Sequence, residues 1–198
     1  MAHIDYYFAT ISPSSYLAGT RLEEIASKHG AEIHYKPVDI MGLFSNTGGV
    51  PPKDRHPNRQ KYRLQDMKRV AARSGLAINP QPAHFPVNGA PAAYAIIAAQ
   101  AAGGGNLGQL VHAILRAVWA EEKNISEDTV IKAALEENGF DASLADSGLL
   151  SGAQTYEKNL EDAIADGVFG APFYVVDDQG FWGQDRLDDL DFYLGQSG

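Results

Sequence analysis

A chain of 198 residues, 44% hydrophobic and 21% charged, is sized for one substantial globular core. Its formal charge of −9 comes without a basic block, which argues against nucleic acid as a partner, and no apolar run approaches the roughly 20 residues that span a bilayer. With no cysteine there is no disulfide framework, and a reducing compartment, the cytoplasm, is the expected location. Met1-Ala2-His3-Ile4-Asp5 carries neither the basic nor the apolar stretch of a secretory signal, and Gln196-Ser197-Gly198 is not a peroxisomal address.

In chain order, residues 4–8 form an aromatic-rich apolar run that predicts a buried strand. Pro13 suits a first helical turn, and Leu17, Ala18, Leu22, Ile25 and Ala26 continue one helix as far as Gly30. Ile33, Tyr35 and Val38 predict a second strand, so residues 4–40 read β-α-β. Residues 45–57 are rich in Gly, Pro and Asn and are expected as loop, followed by a polar helix over about 59–74. Four prolines within 79–91 predict an irregular connection, then helices over 92–102 and 107–121 with a break at Gly103-Gly104-Gly105. Ser126 is the expected cap of the next helix, which Asn138-Gly139 ends. Residues 152–166 are helical with Leu160, Ala163 and Ile164 inward. A hairpin follows: strand 173–176, the turn Asp177-Asp178-Gln179-Gly180, and Phe181-Trp182. A helix over 185–194 closes the chain.

The order βαβ, helical block, ββα is that of an α/β thioredoxin-like fold split by an all-helical insertion. The expected division is a thioredoxin-like domain of 1–44 plus 166–198 and an insertion of 45–165. Such a fold carries its Cys-x-x-Cys motif between the first strand and the first helix. Here that place holds Ser12-Pro13-Ser14-Ser15, with serine at both cysteine positions. Hydroxyls cannot exchange disulfides, but the site can hold the thiol of another molecule, which points to glutathione-dependent chemistry.

Other features carry less. The cations between Lys53 and Arg73 are interrupted by Asp54 and Asp66, and read as a solvated helix face or as an edge for an anionic small molecule. The six histidines are dispersed without ligand spacing, so no metal is expected. The three glycines at 103–105 lack the preceding strand of a dinucleotide loop.

Tyr6-Tyr7-Phe8, Ser12-Pro13, Ser15-Tyr16-Leu17-Ala18, Phe85-Pro86-Val87-Asn88, Gly167-Val168-Phe169-Gly170-Ala171-Pro172 and Trp182-Gly183-Gln184-Asp185-Arg186-Leu187 together resemble the 2-hydroxychromene-2-carboxylate isomerases. These are grouped with kappa-class glutathione transferases and DsbA-type oxidoreductases. The resemblance runs end to end. It implies glutathione as cofactor, with Ser12 as the catalytic residue facing its sulfur. It also implies a cis Pro172 whose neighbour Ala171 pairs its backbone with the cysteinyl part, and Gln184, Asp185 and Arg186 around the γ-glutamyl end. It further implies a small-molecule substrate, a cyclic hemiketal carboxylate or related aromatic or unsaturated 2-oxo acid, to which the thiolate adds reversibly without being consumed. Relatives of this kind are often homodimers. A kappa-type transferase and a non-catalytic glutathione-binding protein are the rival readings.

Each residue also has a plainer reading. Ser12 is a good helix cap, Pro172 a trans strand opener, Asp185 a first-turn acid, and Asn88 an N-cap as well as a candidate substrate contact. Phe44, Lys53 and Arg55 are the remaining substrate-site candidates, lining an expected cleft with Asn88 and Ser12. Four positions depart from the family pattern: Ala9 where aspartate is frequent, Ser14 where an aromatic is usual, Phe44 near a substrate-binding lysine, and residues 93–95 without the usual basic residue.

Overall fold

Four strands form one mixed sheet in the order β2-β1-β3-β4: β1 (His3–Phe8), β2 (Glu32–Pro37), β3 (Phe173–Val176) and β4 (Gln179–Trp182). β1 runs parallel to β2 and antiparallel to β3, and β3 antiparallel to β4. The molecule is seen in a computed structural model that describes residues 2–196. Met1, Ser197 and Gly198, which figure in the expectations about the two ends, lie outside them. Ten helices are present among the described residues: α1 (Pro13–Leu17), α2 (Arg21–His29), α3 (Ile40–Thr47), α4 (Pro57–Ser74), α5 (Ala90–Ala102), α6 (Leu107–Trp119), α7 (Asp128–Glu137), α8 (Leu144–Ser147), α9 (Leu149–Ala165) and α10 (Leu187–Gln196). Helices α3 to α9 enter between β2 and β3, which makes this the α/β thioredoxin-like fold with a helical insertion.

Strand alternation assigns the two sheet faces. Ile4, Tyr6, Phe8, Tyr35, Tyr174 and Val176 join the larger core, which α1, α2 and α10 share with residues of α4 to α7. Tyr6 lies stacked between Phe8 and Tyr174, with ring centroids 4.9 and 5.2 Å away. The opposite face buries Tyr7 and Phe173 with Val38, Leu43, Ala163 and Val168, beneath α3 and α9. Fully burying side chains of this size contributes about 1.5–3 kcal/mol each, so the sheet is held from both sides.

β2 lies at the edge of the sheet, and side chains from the helical block satisfy its outer backbone. Gln100 of α5 accepts from Tyr35 N–H at 2.8 Å and donates to Tyr35 C=O at 3.1 Å. The buried Asn159 of α9 donates to Pro37 C=O at 3.0 Å. An edge so occupied cannot pair with another strand.

Several predicted elements shift. The single first helix is two, because Gly19 takes φ +61° and breaks the run between α1 and α2. The expected loop at 45–57 begins later: Asp39 caps α3 by accepting from Met41 N–H, and α3 runs on until Gly48 stops it. Ser126 does not cap α7. Glu127 occupies that position, and the Ser126 hydroxyl donates to Asn124 instead. Ile164 is exposed rather than inward, while Ala163 beside it is fully buried. The hairpin turn is Asp177-Asp178 alone, both at positive φ as a two-residue primed turn requires, which leaves Gln179 and Gly180 in β4. The closing helix starts at Leu187, after a 3-10 turn over Gln184–Arg186.

Candidate active site

Ser12 is the N-cap of α1. Its backbone is extended, and its Oγ accepts from Ser15 N–H at 3.2 Å. Ser12 N–H donates to Ala9 C=O, which fixes the turn out of β1. The same Oγ faces Ala171 C=O at 3.4 Å, and the Ala171–Pro172 peptide is cis. Hydroxyl donors normally sit 2.5–3.0 Å from their acceptors, so this hydrogen is held only weakly. Ser15, at the second cysteine position, is buried, and its Oγ has no partner among the described residues. Of the two serines, only Ser12 presents a hydroxyl at the opening.

The proline loop is tied to the next segment through the backbone. Gly183 N–H donates to Pro172 C=O at 2.9 Å and Gly183 C=O accepts from Arg186 N–H at 3.1 Å. Gly183 has φ +109°, open to glycine alone, and this sets Gln184, Asp185 and Arg186 directly after the loop. Asp185 opens on a polar cleft of about 580 Å³ shared with Arg21, Glu24, Arg73, His112 and Asp188. Arg186 is turned to acidic neighbours on its own turn, at 3.2 Å from Asp189 and 3.5 Å from Asp185.

Asn88 reaches the site by a close backbone approach. Thr10 Oγ donates to Gly89 C=O at 3.0 Å, and a Cβ on Gly89 would collide with Thr10 Oγ and press on Ile11. The N-cap of α5 is Gly89, not Asn88 as the plainer reading had it; Asn88 stands one residue earlier and closes a turn, its Oδ1 accepting from Ala90 N–H at 3.1 Å.

Phe44, Lys53 and Arg55 are held by the segment between α3 and α4. The Phe44 ring packs on Gly49, Arg55 Nε donates to Val50 C=O at 2.7 Å, and Gln60 gathers the carbonyls of Lys53 and Arg55 at 3.0 and 2.7 Å. Among the described residues no hydrogen bond or ion pair joins these three to Ser12. Sequence reading counted Arg63 among the Lys53–Arg73 cations without singling it out; it lies one turn before the buried Met67 on α4, half-buried, without any ion pair among the described residues. Burial, then the neighbouring Arg55, pushes its guanidinium below the ordinary value, and burial with Arg59 does the same to Arg55. Neither Arg55 nor Arg63 has an ion pair among the described residues, and guanidinium groups are able to bind a carboxylate. The spacing of Arg63 to Met67 was the available signal, since i and i+4 share a helix face.

The dispersed histidines also look different once the sheet forms, because His3 and His34 both meet Asp5, away from this site.

The sequence matches the family of DsbA-like thioredoxin domains over residues 3–195. It is 34% identical over 194 residues to the 2-hydroxychromene-2-carboxylate isomerase of Sphingobium xenophagum, covering 96% of this chain and 97% of that protein. To the enzyme of that name from Pseudomonas putida it is 32% identical, covering 98% of this chain and 94% of the other. Among solved structures, that of a selenomethionine 2-hydroxychromene-2-carboxylate isomerase superposes with a TM-score of 0.80 at 26% identity, over 98% of this chain and 95% of that one.

Proposed function

The chain belongs to the DsbA-like thioredoxin domains and, within them, to the 2-hydroxychromene-2-carboxylate isomerase family; from that premise we propose that it is a glutathione-dependent isomerase of 2-hydroxychromene-2-carboxylate or a related aromatic or unsaturated 2-oxo acid. The observation that carries the reading is the Ser12 hydroxyl, weakly held 3.4 Å from Ala171 C=O at a site where serine replaces both thiols.

The residues present fit glutathione. A hydroxyl hydrogen with only a long acceptor is free to turn to an incoming sulfur, and Asp185 offers a half-exposed carboxylate to an ammonium beside a polar cleft. When bound, glutathione supplies a thiolate able to add reversibly to a conjugated system. Ser12 holds that sulfur by donating its hydroxyl hydrogen, which favours the anion over a thiol whose ordinary pKa is near 8.5. Helix dipole assistance is smaller than an unbroken helix would give, since α1 has five residues and stops before Gly19. Ala171 presents backbone groups to an extended peptide, as a strand edge does. Arg55 and Arg63 hold the substrate carboxylate, and the cytoplasm, where glutathione is abundant and thiols stay reduced, is the setting.

Ser12→Ala tests this. Loss of one charge-assisted hydrogen bond, about 1.5–3 kcal/mol, should lower kcat/KM for the chromene roughly 10- to 150-fold at neutral pH. It should also raise the bound thiol's pKa in an ultraviolet thiolate titration, so that part of the rate returns as pH rises. Glutathione recovered intact after many turnovers supports the isomerase. Stoichiometric conjugate identifies a transferase instead, and an unchanged titration removes Ser12 from the chemistry.

A further inference from the structure

The polar face of the β1–β2 pair carries a second constellation. Residues two apart on a strand share a face, so His3, Asp5 and Tyr7 line up on β1. The parallel register sets Asp5 beside His34 and Tyr7 beside Lys36. Asp5 Oδ1 lies 3.2 Å from His3 Nε2 and 3.3 Å from His34 Nδ1, and one ligand atom from each of the three residues falls within 4.8 Å of the other two. The two imidazole rings are 5.8 Å apart and tilted. Lys36 Nζ sits 3.2 Å from the other oxygen, Oδ2, and fixes the carboxylate so that Oδ1 is left to the histidines. Lys36 is in turn neutralised from α9 by Asp162 at 3.5 Å and bonded to the Tyr7 hydroxyl at 3.1 Å. Its charge therefore does not stand alone against a cation.

The geometry points to a Zn2+ site formed by His3 Nε2, Asp5 Oδ1 and His34 Nδ1. Tetrahedral zinc with bonds of about 2.0–2.1 Å sets neighbouring ligand atoms about 3.3 Å apart, and two of the three edges already have that length. Closing the third edge takes only side-chain rotation, since the histidines are 52% and 45% exposed. The same exposure gives the ion an entry path and leaves the fourth position to water. Two imidazoles and one carboxylate are ligands that suit zinc rather than calcium or magnesium, which take oxygen. The carboxylate held by Lys36 is the kind of outer contact that orients a ligand. β1 separates His3 from Phe8 by about 17 Å, and Ser12 lies beyond Phe8, so this ion stands apart from the proposed reaction and joins β1 to β2 at its N-terminal end.

Chelator-treated full-length protein should take up one equivalent of Zn2+ by titration calorimetry. Free Zn2+ at about 100 times the Kd should raise Tm by about 5–10 °C. His34→Gln and Asp5→Asn should each weaken binding by at least about 10- to 100-fold, the loss that disturbing even an outer contact produces. His84→Gln, at an exposed histidine elsewhere, should leave it unchanged. Co2+ in place of Zn2+ should give the intense visible bands of a tetrahedral centre. Should Asp5→Asn fail to fold, His34→Gln carries the test. No uptake, undiminished affinity in His34→Gln, or a weak octahedral cobalt spectrum overturns the site.

Discussion

At the scale of single residues, burial separates Arg63 from the other cations of α4, which are all exposed. Arg69 has Asp66 at 3.2 Å, whereas Arg63 is half-buried, feels the charge of Arg55 and has no ion pair among the described residues. A guanidinium in that position costs stability in the free protein and regains it when an anion arrives. Arg63→Gln should therefore leave the unfolding free energy within about 0.5 kcal/mol of wild type or raise it. The same change should reduce kcat/KM for a carboxylate substrate by roughly 10- to 150-fold, the value of one charge-assisted bond. Comparing the acid with its methyl ester checks this: the preference for the acid should shrink in the variant. An equal loss on both substrates removes Arg63 from carboxylate binding.

At the scale of elements, the contact between the helical block and the edge of β2 decides how the insertion is seated. Gln100 meets both backbone groups of the buried Tyr35, so Gln100→Leu keeps the volume but strands one N–H and one C=O. Each orphaned group costs about 1–3 kcal/mol, and a loss of about 2–4 kcal/mol in urea unfolding is expected. A loss below about 1 kcal/mol would mean that water replaces the amide and that the edge is not sealed. Alanine richness in the sequence located α5 well, although its buried residues lie on several sides of the helix and mark no single packing face. It gave no hint that Gln100 sits opposite a strand edge 65 residues away. Ser126 and the region around Phe44 were misread for a related reason. Several nearby side chains can cap a helix start, and only packing selects among Asn124, Ser126 and Glu127.

At the scale of the whole molecule, a polar ladder crosses from β1 through β2 to α9. Tyr7 donates to Asp166 at 2.6 Å, and Lys36, itself buried, draws on Asp5, Tyr7 and Asp162. Burial raises the Asp5 carboxyl, but hydrogen bonds from His34 and Lys36 outweigh it and bring the pKa down to about 2 from 3.8. A carboxyl depressed on folding adds stability above its unfolded pKa and loses it as pH falls through the folded one. The contribution should be complete above pH ~4 and vanish towards pH ~2, and it amounts to about 1–2 kcal/mol after allowance for solvent screening. Asp5→Asn should lower stability at neutral pH by about that amount and flatten the acid limb between pH ~4 and ~2, followed by urea unfolding at a series of pH values. An acid limb identical to that of wild type would show that other carboxylates govern it.

The sequence by itself determined the thioredoxin-like order of elements, the serines at 12 and 15, and the proline loop that faces them. These are local matters: alternation marks strands, a 3.6-residue period marks helices, and glycine and proline mark where both stop. The tertiary structure alone decided that Thr10 brings Gly89 and Asn88 beside the site, that Gln100 seals β2, that Arg63 is half-buried under the charge of Arg55, and that His3, Asp5 and His34 converge. Each of those depends on register or on the docking of one helix against a distant partner. A slip of one residue between β1 and β2 would send His34 to the opposite face and dissolve the cluster without altering a single local propensity.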